Sequence, residues 1–156
     1  MERTLIILKP DAVQRHLVGK IISRFEEKGF QVTGLKMTRI TEAMARKHYA
    51  VHEGKDFFKP LIRYISSGPL IVMVLKGKDA IEVARKMMGS TFGSKAESGT
   101  IRGDYAVSTR FNLVHGSDSP ETAEKEISIF FKKEELFDYN LNDLQWIYDM
   151  SMGDIV

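Results

Sequence analysis

The stretch Leu70–Leu75, LIVMVL, is apolar at every position and shows no alternation of polar and apolar residues. A short continuous run of this kind, bounded by turn formers, matches a strand buried inside a sheet. Ser66-Ser67-Gly68-Pro69 supplies the turn before it, and Gly77 ends it. The run therefore predicts a central strand, and the rest of the chain must provide its neighbours and its cover.

Arg3–Lys9, RTLIILK, is a second apolar run, stopped by Pro10-Asp11, and reads as a buried first strand with Lys9 at its carboxyl end. Leu17, Val18, Ile21, Ile22 and Phe25 recur at helical spacing, and Gly29 closes that helix. Phe30–Ile40 alternates loosely as another strand. Thr41 then caps a helix carrying Met44, Ala45, His48, Tyr49 and His52, and a short helix follows around Phe57–Ile65. Beyond the central strand, Asp79–Met88 is helical up to Gly89, Ser90–Gly103 is a long polar loop, and Tyr105–Val114 is the last strand. Ser119-Pro120 places a cap and a first-turn proline at the head of a helix through Phe131. This order of elements predicts an α+β fold, a ferredoxin-like sandwich with a four-stranded antiparallel sheet covered by helices. Residues 1–156 read as a single domain, since the length suits one core and no linker or repeat divides it.

Composition removes several chemistries. The chain has no cysteine, which excludes disulfides, thiolate metal sites and cysteine nucleophiles, and fits a reducing compartment. Its apolar runs fall far short of the roughly 20 residues a membrane span needs, and no signal-peptide core follows Met1-Glu2-Arg3. The expectation is a cytoplasmic protein with no membrane partner. A formal charge of +2 does not indicate a nucleic-acid partner.

Polar residues at positions the pattern buries are the candidates for function, because burial costs free energy unless something satisfies them. In the helix after Ser119, Ala123, Ile127 and Phe130 form the apolar stripe and Glu126 stands at its edge, whereas Glu121, Glu124 and Lys125 belong to a solvated face. Arg85 lies four residues after Ile81 and reads as aimed inward in the same way. Each charge taken singly also fits a satisfied structural role. His48 and His52 have i, i+4 spacing compatible with zinc, but no HExxH glutamate or cysteine accompanies them, so the metal reading is set aside.

The combination says more. His115 ends a strand, Gly116 lets the chain turn or a ligand approach the backbone, and the following helix can return Glu126 to the imidazole. A carboxylate accepting from one ring nitrogen leaves the other as a directed lone pair, which makes a histidine a nucleophile. Such a nucleophile suits phosphoryl transfer if cations surround its target. Lys9, Arg85 and Arg102 are the candidates, with Thr91 as a neutral donor, and neither a Walker A sequence nor a kinase glycine loop is present.

KPDAVQR from Lys9, Gly68-Pro69, GTIRGD at Gly99–Asp104, NLVHGSDS at Asn112–Ser119 and Trp146-Ile147-Tyr148 occur in one order and spacing. On these motifs the chain closely resembles nucleoside diphosphate kinase from Arg3 to about Tyr148. The resemblance implies a transferase of nucleotide metabolism that moves the γ-phosphate of a nucleoside triphosphate such as ATP to its own histidine, then to a nucleoside diphosphate, by a ping-pong route. His115 matches the phosphohistidine, attacking through Nδ1, and Glu126 and Ser117 match the residues that orient it. Lys9, Tyr49, Arg85, Thr91, Arg102 and Asn112 match nucleotide-binding residues, with Lys9 and Asn112 also reaching the sugar; Phe57 matches the aromatic that stacks on the base, with Leu61 beside it. A base held only by stacking implies low base selectivity. In the family Mg²⁺ rides on the nucleotide phosphates, with Asp118 near it through water. The family is homo-oligomeric, and the extended end through Val156 resembles its longer members, so a hexamer is favoured over a tetramer.

There are departures. Family members carry prolines in TNPxxxxPGTIR, whereas Thr91–Arg102 reads TFGSKAESGTIR, which predicts a looser loop and an altered subunit contact. Thr109 stands where the family is often apolar, and Arg110 follows it. An RNA-binding module of similar topology would need an aromatic-rich strand, and LIVMVLKG has none. An inactive relative would lack His115, Glu126 or the cations, and all are present.

Overall fold

The computed structural model describes residues 1–151, 153 and 155. The end of the chain at Val156, on which the hexamer expectation draws, lies outside the described residues. Strands β1 (Glu2–Leu8), β2 (Gln31–Thr38), β3 (Leu70–Gly77) and β4 (Val114–Gly116) form one antiparallel sheet in the order β2-β3-β1-β4. The predicted central strand is central: β3 pairs with β1 from Glu2↔Gly77 to Leu8↔Ile71, and with β2 on its other side.

Strand alternation explains why both runs are apolar throughout. Ile6, Leu8, Ile71, Met73 and Leu75 point to one face, where they pack on Ile21 and Phe25 of α2 (Val18–Glu27) and on Ala84 and Met88 of α5 (Ala80–Met88). Leu5, Ile7, Val72 and Val74 point to the other, against Ala45 of α3 (Glu42–His48), Ile62 and Ile65 of α4 (Phe58–Ile65), and Ile127 and Phe130 of α7 (Pro120–Phe130). Neither face meets water, and each large side chain buried this way stabilises the fold by about 1.5–3 kcal/mol. The expected ferredoxin-like α+β sandwich is the observed architecture.

Three local expectations change. Pro10 does more than stop β1: it occupies the first turn of a short helix, α1 (Pro10–Gln14), where its missing N–H is harmless. The polar loop Ser90–Gly103 contains a tight turn at Gly93–Lys95 and runs into α6 (Ile101–Tyr105), whose cap Thr100 accepts from the Gly103 N–H. The strand expected over Tyr105–Val114 contracts to Val114–Gly116 for that reason and two more. Ser108 Oγ accepts from the N–H groups of Arg110 and Phe111, and Leu113 adopts φ 69°, so the backbone spends its hydrogen bonds on local turns. The tail adds a turn at Lys133–Glu135 and a helix, α8 (Leu144–Ile147). Among the described residues, no helix is long and apolar enough to cross a membrane.

Candidate active site

The centre of the site is built by β4 and the turn into α7. Ser119 Oγ accepts from the Thr122 N–H and Pro120 fills the first helical position, so α7 starts at a defined place and carries Glu126 back over the strand. Glu126 is buried, and its two oxygens lie 3.1 and 3.2 Å from His115 Nε2. Ser117 Oγ donates to Glu126 Oε2 at 2.6 Å and accepts from the Leu5 N–H at 3.3 Å. An acceptor carboxylate at Nε2 places the ring proton there and leaves Nδ1 as the lone-pair nitrogen. Burial pushes the Glu126 pKa up, but hydrogen bonds and charge from His115, Ser117 and His48 outweigh it, and the net direction is down. The room around Gly116 is used differently from the expectation: a Cβ there would lie 2.7 Å from Met88 Sδ and 3.1 Å from Ile6 Cδ1, so the missing side chain admits core packing, not a ligand.

His115 opens into a cavity of about 960 Å³ that is rich in cations. Lys9, at the end of β1, is buried and donates from Nζ to Asn112 Oδ1 at 2.6 Å, while Asn112 Nδ2 donates to the Thr91 carbonyl at 2.8 Å. Burial and the charge of Arg102 pull the Lys9 pKa down to about 7, against the opposing pull of Asp11. Arg102 is buried and donates to three carbonyls: Nε to Asn112 at 3.2 Å, Nη1 to Gly89 at 2.9 Å and Nη2 to Val114 at 2.7 Å. Burial and then Arg85 lower its pKa to about 10. A guanidinium has five N–H donors, so among the described residues two of those on Arg102 have no partner.

Arg85 corrects the sequence reading. It is exposed, because the buried stripe of α5 is Ala80, Ile81, Ala84 and Met88, and it reaches the cavity from the surface with Nη1 3.3 Å from the Gly116 carbonyl. Thr91 and Asp118 are exposed on the cavity lining. Phe57, 46% exposed, and half-buried Leu61 supply apolar lining, with Thr109 and Arg110 on the same cavity. Tyr49 is buried with its ring centroid 6.0 Å from that of His115, and burial raises its pKa. Cationic side chains, an exposed aromatic ring and a directed imidazole lone pair thus share one space.

A sequence model described as nucleoside diphosphate kinase matches residues 2–136. The chain belongs to the nucleoside diphosphate kinase family. A curated nucleoside diphosphate kinase of Roseiflexus castenholzii is 55% identical over 149 residues, covering 96% of this chain and all of the relative. That of Thermococcus kodakarensis is 54% identical over 151 residues, covering 95% of this chain and 86% of the relative. Among solved structures, a halophilic nucleoside diphosphate kinase from Halobacterium salinarum in complex with CDP superposes with a TM-score of 0.93 at 45% identity, covering 95% of this chain and 99% of that one. The activity of a nucleoside diphosphate kinase, transfer of phosphate between nucleotides, is the activity of this enzyme.

Every family-matched residue named from the sequence lines this cavity except Ser117, which is buried behind Glu126. Three supporting residues were not assigned. Asp11 accepts from the Tyr64 hydroxyl and, at 3.1 Å, from the Leu113 N–H, which holds Leu113 in its left-handed conformation and turns Asn112 toward Lys9. A bulky residue at such a φ costs about 1–3 kcal/mol and persists only where its surroundings over-determine it. The KPD motif contained the Asp11 signal; Tyr64 had none. The third is His48, which packs against His115 instead of pairing with His52, because α3 ends at His48 and His52 sits in a separate turn at Ala50–His52. His48, His115 and Glu126 each place a ligand atom within 4.8 Å of the others, a set that could hold a metal ion, although Ser117 and His115 already occupy the carboxylate.

Proposed function

We propose that the enzyme works by a ping-pong route through a phosphohistidine at His115. The observation that carries this is the Glu126 contact to Nε2, which leaves Nδ1 as the free nitrogen of a histidine lining a cationic cavity. The Nδ1 lone pair attacks the γ-phosphorus of a nucleoside triphosphate, the bond from that phosphorus to the β-γ bridging oxygen breaks, and the diphosphate leaves with the electron pair. Nε2 keeps its proton throughout and donates it in a hydrogen bond to the ionised Glu126. A terminal oxygen of an incoming diphosphate then attacks the phosphohistidine, and the lone pair returns to Nδ1.

In this reading Lys9, Arg85 and Arg102 neutralise phosphate charge, Thr91 donates to it, and Tyr49 and Asn112 line the sugar and phosphate path. Phe57 stacks on the base with Leu61 beside it, and a π face is common to every base, so low base selectivity follows. For Mg²⁺, the donor set is the test: among the described residues Asp118 is the only carboxylate lining the cavity besides Glu126, which is already held, so the residues fit an ion carried by the phosphates with Asp118 as its protein partner. Bound there, Mg²⁺ offsets charge on the β- and γ-phosphates. Residues 1–156 act as one domain, in the cytoplasm, as a hexamer rather than a tetramer.

Incubation with γ-labelled ATP should give a label on the protein that is acid-labile, base-stable and discharged by GDP, and absent from His115→Ala. A label retained by that variant refutes the nucleophile. An exchange assay that accepted one diphosphate and ignored the rest would sink the low selectivity.

A further inference from the structure

We propose that His48 is a positioning residue for the transfer, facing Glu126 so that this carboxylate stays ionised and aimed at the Nε2–H of His115. His48 ends α3 and is 9% exposed. Its ring meets that of His115 edge-on, centroids 4.7 Å apart at 77°, and is walled by Tyr49 at 4.4 Å and Phe130 at 5.4 Å. Nδ1 lies 3.8 Å from Glu126 Oε1, just beyond hydrogen-bond reach, and neither ring nitrogen has a partner among the described residues. A phenyl ring would fit the same aromatic walls, whereas a buried unpaired polar group costs about 1–3 kcal/mol. That cost has a use if the nitrogen serves the carboxylate. Ser117 donates to Glu126 Oε2, both carboxylate oxygens lie within reach of His115 Nε2, and Oε1, which Ser117 leaves free, is the oxygen that His48 faces.

The need arises from the chemistry. As Nδ1 of His115 bonds to phosphorus, positive charge develops on its ring, and an anionic Glu126 opposite Nε2 offsets it. An Nδ1–H from His48 turned to Oε1 favours the ionised carboxyl over the neutral one and stops it rotating away. His48 must itself stay neutral, or it would repel the developing imidazolium. Burial, and then the nearby His115, hold its pKa at about 3, with Lys9 and His52 acting in the same sense and Glu126 against them. The other titratable groups facing Glu126 are His115 on β4 and Tyr49, the residue that follows α3.

This inference rests on His115 as the phosphorylated residue, and the test separates the two. Single-turnover phosphorylation by ATP is followed against pH in wild type, His48→Phe, which keeps the ring volume, and His48→Asn, whose amide takes the Nδ1 position. His48→Phe should slow phosphorylation about ten- to a hundredfold, the range expected when a reacting group is loosely held. Its acid limb should move to higher pH as Glu126 becomes easier to protonate. His48→Asn should restore both rate and limb. Wild-type behaviour of His48→Phe overturns the proposal, and so does equal slowing in both variants with no movement of the limb, which is a filler's signature. Should His48→Phe fail to fold, ¹⁵N spectra of histidine-labelled wild type decide: the proposal requires the Nδ1–H tautomer at neutral pH, and the Nε2–H tautomer overturns it. A label that survives His115→Ala would instead break the phosphohistidine reading beneath it.

Discussion

Lys9 shows how one residue couples the fold to its substrate. Its pKa is about 7 in the fold against an ordinary lysine value of 10.5, so between those values the unfolded chain binds more protons and this group makes the free enzyme gain stability as pH rises through that window. In the proposed complex the negative charge of a polyphosphate beside it would stabilise the ammonium and offset the desolvation. Binding ADP at pH 8 should therefore take up most of one proton per site, read by calorimetry in two buffers of different ionisation enthalpy, and Lys9→Met should lose the uptake; none in wild type would mean Lys9 is already charged. Glu126→Ala should fold yet phosphorylate slowly, since it frees the imidazole without deleting it, and unchanged single-turnover rates would count against its role. The sequence made Glu126 legible because a carboxylate on an apolar stripe breaks a period. His48 stood on the same kind of stripe, three residues after Ala45, but an aromatic, neutral ring disturbs the pattern little, and the imidazole it packs against lay 67 positions away in a strand. Arg85 was misread because stripe edges and stripe neighbours look alike at 3.6 residues per turn.

Among the elements, the long loop before α6 is held by turns of two different kinds. The Thr100 N–H donates to the Glu97 carbonyl at 3.2 Å and Gly99 has φ 91°, which makes Glu97–Thr100 a type II turn with Ser98 in the position proline favours. Gly93 is the opposite case: a Cβ there would lie 2.4 Å from the Ala106 carbonyl oxygen. The two missing prolines are thus unlike. Ser98→Pro should raise stability by about 0.4–1 kcal/mol by restricting the unfolded chain, whereas Gly93→Pro should lower it, both read from urea midpoints. A Ser98→Pro variant no more stable than wild type would mean the turn is not held in solution. Periodicity could not show this segment, because its shape comes from a turn, a cap at Thr100 and the Arg102 guanidinium bridging Gly89, Asn112 and Val114, none of which repeats along the chain. The two apolar strands were legible for the converse reason: burial on both faces leaves a signal at every residue.

At the scale of the molecule, β2 is an edge strand whose first half is covered by the tail, where the Phe137 N–H donates to the Thr33 carbonyl at 2.8 Å. Farther along the strand, Leu35 and Met37 are 51% and 59% exposed. Val107, in the loop before β4, is 89% exposed, and Trp146 of α8 is 85% exposed. Native proteins cover long apolar edges. A single two-fold contact closes at a dimer, so a larger closed ring needs a second, different surface, and this chain exposes apolar side chains on an edge strand and on a separate loop. The proposed hexamer should appear in sedimentation equilibrium as six 17.8 kDa chains, with a melting temperature that rises with protein concentration because association stabilises only the folded chain. Four chains would overturn the hexamer, and a concentration-independent monomer would overturn assembly altogether, leaving Leu35 and Val107 exposed in the working enzyme.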